Sequence, residues 1–163
     1  MILVCNTGPL IALGKLDKLP LLNGLGFDRV LIPGRVHREL WGRIAKESAA
    51  IDSALNDFIQ VEKVPATEEN PETSLTNLDQ GEKEVILLGT ALTEDVLLLL
   101  DDQAGRKAAR QKALPVIGTA GLLLLAKQHG LIDTVSPMLI ALRQRGYWLS
   151  DAFIVEIRKL AKE

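Results

Sequence analysis

The sequence is short of the residues that most often carry chemistry. It holds one cysteine, Cys5, and two histidines, His37 and His129, in 163 residues. A single cysteine excludes an intrachain disulfide and gives no sign of an oxidising compartment. Together the three residues offer no zinc-ligand spacing. Aromatic residues make up 4% of the chain against 47% hydrophobic, so the core must rest on aliphatic packing. Long apolar runs are missing too. "VILLGTAL" and "TAGLLLLA" fall well short of the roughly 20 residues that span a bilayer, and the N-terminus lacks the basic flank of a signal peptide. The expectation is a cytoplasmic protein with no membrane contact. Neither sign of charge dominates, at net −2, so a nucleic-acid partner would be held by local basic patches or a metal rather than by the global field.

What is present is an alternation of short apolar runs with segments of helical period. The length suits one domain over residues 1–163, with a core at 1–133 and a C-terminal helical extension at 134–163. Five strands are expected: "ILVC" (Ile2–Cys5), "RVLIP" (Arg29–Pro33), "FIQVEKV" (Phe58–Val64), "DVLLLL" (Asp95–Leu100) and "LPVIG" (Leu114–Gly118). The segments between them read as helices: "TGPLIALGKLDK", "GRVHRELWGRIAKESAAIDSALND", "DQGEKEVILLGTAL" and "QAGRKAARQKA". The helices "TAGLLLLAKQHG", "SPMLIALRQRG" and "SDAFIVEIRKLAKE" close the chain, and "PATEENPETSLTN" reads as a flexible polar loop. Strands with little polar alternation, separated by helices, predict an α/β fold with a parallel sheet covered on both faces.

In such sheets the ligand crevice lies beyond the carboxyl ends of the strands. Asp101 and Asp102 stand there after "VLLLL", and Asn6 stands there after "ILVC". A strand-end aspartate is also a common N-cap of the following helix. Two further acids fall on helices: Glu82 in the first turn of "LDQGEKEV" and Glu39 in "VHRELWGRI".

Six segments, taken in order, resemble the PIN domain family of metal-dependent ribonucleases, in particular a branch of short prokaryotic proteins. They are "NTGPLIALGKL", "RVLIPGRVHREL", "LDQGEKEVILL", "LLLLDDQAGRKAA", "PVIGTAGLLLLAKQHGLI" and "ALRQRGYWLSD". The resemblance covers nearly the whole chain. It implies a three-layer α/β/α sandwich whose site is built from acidic residues holding Mg²⁺ or Mn²⁺. The four site positions fall on Asn6, Glu39, Glu82 and Asp102, with Asp101 as an extra neighbour. It also implies RNA as substrate and an antitoxin protein as partner. Hard divalent cations take oxygen ligands, and a bound cation lowers the pKa of its water. Asn6 departs from the aspartate of most such enzymes: its amide coordinates through the carbonyl oxygen but supplies no charge. The alternative is a weakened PIN-fold module that binds RNA or a protein.

Each residue also has a plainer reading. Glu82 stands three after Asp79, a capping-box spacing. Glu39 stands four after Arg35 and four before Arg43, as in a solvated ion-pair ladder worth only ~0.3–0.5 kcal/mol per pair. Asp101, beside Asp102, points to a different side. Thr7 either caps the first helix or contacts a ligand. Among the basic residues, Arg106 lies one turn past Asp102, where it would pair with that carboxylate or with a phosphate. Arg35, His37, Arg38, Lys107 and Arg110 either meet the nucleic-acid backbone or read as solvated helix faces.

Competing chemistries find no support. There is no phosphate-binding glycine loop of the GxxxxGK(S/T) type, "GLGFDR" precedes a strand rather than following one, and no serine nucleophile elbow is present. The leucine-rich helices "TAGLLLLAKQHG" and "SPMLIALRQRG" predict either a homodimer or cover by neighbouring helices within one chain.

Overall fold

The computed structural model describes residues 1–41, 43, 45–65, 75 and 77–163. The loop read from "PATEENPETSLTN" lies almost wholly outside the described residues. Five parallel strands, β1 (Ile2–Cys5), β2 (Arg29–Pro33), β3 (Ile59–Glu62), β4 (Val96–Leu99) and β5 (Val116–Ile117), form one sheet in the order β3-β2-β1-β4-β5. Val4 pairs with Leu31 on one side and Leu98 on the other. β1 is buried along its whole length, which is why it reads as an unbroken apolar run. β3, on the sheet edge, exposes Gln60 and Val61.

Among the described residues nine helices flank the sheet: α1 (Thr7–Lys15), α2 (Pro20–Gly24), α3 (Gly34–Leu40), α4 (Ser48–Asp57), α5 (Gln80–Ala91), α6 (Gln103–Gln111), α7 (Thr119–Gln128), α8 (Ser136–Gln144) and α9 (Asp151–Ala161). The result is the expected α/β/α sandwich. No helix among the described residues is long and apolar enough to cross a membrane.

Two local expectations are corrected. The single helix expected over residues 34–57 is two, α3 and α4. The chain leaves α3 at Trp41, whose backbone is extended although its N–H still reaches the His37 carbonyl. The Ser48 hydroxyl then accepts from Ala45 N and donates to the Arg43 carbonyl, holding a turn before α4. The five-residue α2, opened by Pro20, was hidden because so short a segment shows no helical period.

The leucines that suggested a dimer are used inside the chain. Leu122, Leu123, Leu139 and Leu142 are all buried, with α9 packed on both α7 and α8. The Glu163 carboxylate ties these helices together, accepting from Val135 N, Ser136 N and Lys127 Nζ at 2.6–2.8 Å. Burial tends to raise its pKa, but those hydrogen bonds outweigh burial and bring it down to about 2. Ile140, Val155 and Leu160 remain exposed on α8 and α9.

Candidate active site

The strand order reverses between β1 and β4, which places the crevice of an open parallel sheet at their carboxyl ends. Asn6 follows β1, and Asp101 and Asp102 follow β4 after the buried Leu100. The Asn6 N–H donates to the Leu99 carbonyl at 3.1 Å, so the two strand ends are fixed to each other.

Asn6 occupies the N-cap position of α1, yet its side chain makes no capping bond. Its Oδ1 is buried and has no hydrogen-bond partner among the described residues. Such an orphaned acceptor costs about 1–3 kcal/mol, which calls for an explanation. A first side-chain carbon at Gly81 would stand 3.0 Å from Asn6 Oδ1, 3.0 Å from Glu39 Oε2 and 3.2 Å from Glu39 Oε1. Glycine at 81 therefore lets the amide oxygen and the carboxylate share one small space. Glu39 is held from two sides: Arg35 Nε donates to Oε1 at 3.0 Å, and the Thr7 hydroxyl donates to Oε2. Thr7 thus does not cap α1. Asn6 takes the extended cap position, and Thr7, already inside the helix, reaches across to α3. The other half of the proposed ladder is absent, because Arg43 lies 3.9 Å from Glu47 instead.

Glu82 and Asp79 form the capping box read from their spacing. Asp79 Oδ1 accepts from Glu82 N at 2.7 Å, and Glu82 Oε2 accepts from Asp79 N at 3.2 Å. Glu82 is buried, and Gly105 faces its carboxylate: a carbon there would lie 3.6 Å from Oε1. Burial pushes the Glu82 pKa up, and the charges of Asp79, Asp102 and Glu39 add to that, against the lowering hydrogen bond at Asp79. Asp102 caps α6, its Oδ1 accepting from Ala104 N at 2.8 Å and Gly105 N at 3.0 Å. Both bonds fall on Oδ1, so the capping and site readings are compatible: Oδ2 makes none among the described residues.

Asp101 points away from this group. Its two oxygens accept from Thr119 N and the Thr119 hydroxyl, each at 2.7 Å, clamping the start of α7 to the end of β4. Arg106 does not pair with Asp102. Its guanidinium runs toward β5 instead, where Nη1 lies 3.4 Å and Asp101 Oδ1 3.0 Å from the carbon position at Gly118. The Arg106 Nε is buried and has no partner among the described residues. Lys107 and Arg110 are exposed on α6, while Arg38 has only a 4.0 Å contact with Glu84.

One residue beside the site was not read from the sequence. The Tyr147 hydroxyl donates to the Gly8 carbonyl at 3.4 Å, across 139 residues of chain. Burial first, then the charges of Asp101 and Glu47, push its pKa up to about 12, against Arg43. Thr119 and the glycines at 81, 105 and 118 likewise gain meaning only from the fold. The single visible hint was the Gly118-Thr119 pair at the end of the last strand.

Among the described residues no group of three His, Cys, Asp or Glu side chains stands close enough, as placed, to hold a metal ion. The donors nonetheless fit a hard divalent cation. They are all oxygens, one of them the buried and unpartnered Asn6 Oδ1, and a glycine stands at the narrowest approach. The carboxylates are gathered around Gly81 and Gly105 rather than scattered.

The family model described as DUF3368, a PIN domain, matches residues 2–163. No curated protein matches the chain. PIN domains have a nuclease-type fold and typically use divalent metals. With a parallel five-stranded sheet, acidic residues at the strand ends and a match over all but the first residue, the chain belongs to the PIN domain family.

Proposed function

We propose that this chain is a ribonuclease that hydrolyses RNA phosphodiester bonds with a water activated by Mg²⁺ or Mn²⁺. The observation that carries this reading is Asn6 Oδ1, buried and unpartnered, facing Glu39 across Gly81. Asn6, Glu39, Glu82 and Asp102 would hold the cation, with Asn6 as a neutral oxygen donor. A cation bound there supplies a water of lowered pKa and neutralises charge developing on the attacked phosphate.

The remaining work falls to the chain's own side chains. Arg35 and the Thr7 hydroxyl fix the orientation of Glu39, Asp79 N fixes Glu82, and the α6 N–H groups fix Asp102. Glu82 is buried, and in the metal-free chain burial and neighbouring carboxylates favour its protonated form, so a bound cation would offset the crowding of charge there. We assign Asp101 to support of the α7 start. The proposed setting is the toxin of a toxin–antitoxin pair acting as a homodimer, from the family resemblance, in the cytoplasm, from the composition of the sequence.

A second reading, a weakened PIN module that binds RNA or protein, is favoured by one observation: Asp102, Glu82 and Asp101 already serve as caps or clamps. Incubation of the purified protein with unstructured RNA separates the two. The first reading expects cleavage with Mn²⁺ or Mg²⁺, lost with EDTA and in Asp102→Asn. An inert wild type that gains cleavage in Asn6→Asp supports the second.

A further inference from the structure

An acidic site repels the polyanion it is meant to cut, and this chain has no excess of positive charge to compensate, at net −2. Affinity for RNA must therefore draw on something besides the global field. The strap joining α8 to α9 lies beside the site. Just past α8, Gly146 takes a φ of +92°, which suits glycine. Gly146 N bonds to the Arg143 carbonyl and Tyr147 N to the Leu142 carbonyl, turning the chain sharply. That turn drives the Tyr147 hydroxyl onto the Gly8 carbonyl, two residues from Asn6, with Lys15 Nζ 5.3 Å from the Tyr147 ring centre. Three residues on, Ser150 caps α9 by accepting from Phe153 N at 3.1 Å. Between these two anchors Trp148 is 90% exposed.

An indole so exposed on a strap fixed at both ends has a free ring and a held backbone. Little ordering entropy is then lost when something covers it. The partner whose chemistry suits both the ring and the site is a nucleobase: flat, apolar on its faces and uncharged, so the strand-end carboxylates do not repel it. Lys15, whose Nζ lies over the Tyr147 ring, adds a positive charge beside the strap. We propose that Trp148 is a stacking platform for an unpaired base of single-stranded RNA entering the acidic site, with Tyr147 as the positioning residue that sets the strap. This takes its ligand class from the ribonuclease reading. The other tryptophan, Trp41, serves as an internal comparison. It is 72% exposed, but it packs on His37, four residues before it, and so lies on the opposite side of α3 from Glu39.

The experiment uses the full chain carrying Asp102→Asn, so that no cleavage disturbs equilibrium, and short unstructured oligoadenylate as probe. In this background Trp41→Phe leaves Trp148 as the only indole. The oligonucleotide should quench its fluorescence. Trp148→Ala should weaken binding by roughly 5- to 100-fold, as removal of one stacking platform does, Trp148→Phe should keep most of the affinity, and Trp41→Ala should change little. An abasic ribose-phosphate oligomer should bind wild type and Trp148→Ala alike. Equal affinity of wild type and Trp148→Ala for oligoadenylate, or equal losses in Trp148→Ala and Trp41→Ala, would overturn the proposal. Stacking without cleavage by the wild-type chain would leave it standing while the ribonuclease reading fell; cleavage with no effect of Trp148→Ala would do the reverse. No binding of RNA by any form would overturn both.

Discussion

Asn6 Oδ1 and Glu39 Oε2 each lie 3.0 Å from the point where a side chain at Gly81 would begin. A residue from the end of β1 and one from α3 are thus brought to a single space that α5 leaves open by carrying glycine.

Gly81→Ala fills that space. The substitution should cost about 1–3 kcal/mol of stability from overpacking, offset by the up to ~1 kcal/mol that alanine contributes in a helix. Mn²⁺ affinity should fall at least about tenfold, equivalent to about 1.4 kcal/mol of binding. Gly105→Ala is the control: its nearest contact, 3.5 Å to Glu82 Cδ, is ordinary packing, and calorimetric titration should show metal binding within about twofold of wild type.

Glu82→Gln should separate stability from function. Burial and neighbouring carboxylates raise the folded-state pKa of Glu82, so ionised Glu82 weakens the metal-free fold as pH rises from the ordinary glutamate range through that raised value. Glutamine keeps the capping box without the charge. Metal-free Glu82→Gln should therefore melt no lower than wild type at pH 7, while Mn²⁺ binding falls sharply. A lower melting temperature would show that the ionised form is stabilising.

Glu163 titrates with the opposite sign. Its pKa is lowered from 4.5 to about 2 in the fold, so its contribution is fully present above the unfolded value and is lost as pH falls through the folded one. Glu163→Gln should lose about 1–3 kcal/mol at pH 7, the range for charge-assisted hydrogen bonds. In denaturant titrations across pH, the gap to wild type should narrow below pH 4.5 and close near pH 2. A gap that persists unchanged to pH 2 would assign the loss to packing.

Asn6→Asp should tighten Mn²⁺ binding, because an added carboxylate in a partly desolvated site attracts a divalent cation more strongly than it does in water. Its effect on turnover need not follow, since tighter ground-state binding does not by itself stabilise a transition state. Unchanged affinity in calorimetry would remove Asn6 from the coordination sphere.

What the sequence made legible is local. The boundaries of β1 and β2, the capping box at Asp79 and Glu82, the Asp102 cap and the Arg35–Glu39 pair all depend on residues within a few positions of one another. The strand-end placement of Asn6, Asp101 and Asp102 followed from apolar runs that stop abruptly. What stayed hidden depends on distance. Asp101 binds Thr119 across 18 residues, Thr7 reaches Glu39 across 32, and Tyr147 reaches Gly8 across 139. No periodicity encodes such pairs. The break between α3 and α4 was missed for another reason: apolar spacing continues past Trp41, and the turn is made by the side chain of Ser48, which pattern alone does not reveal.

The most direct measurement is anomalous scattering from crystals of the wild-type chain soaked in Mn²⁺. The account predicts a peak at the carboxyl ends of β1 and β4, with Asn6 Oδ1, Glu39, Glu82 and Asp102 among its ligands and Asp101 still bound to Thr119. Crystals that show no peak there at saturating Mn²⁺, with Asn6 Oδ1 bonded to protein or water alone, would contradict it.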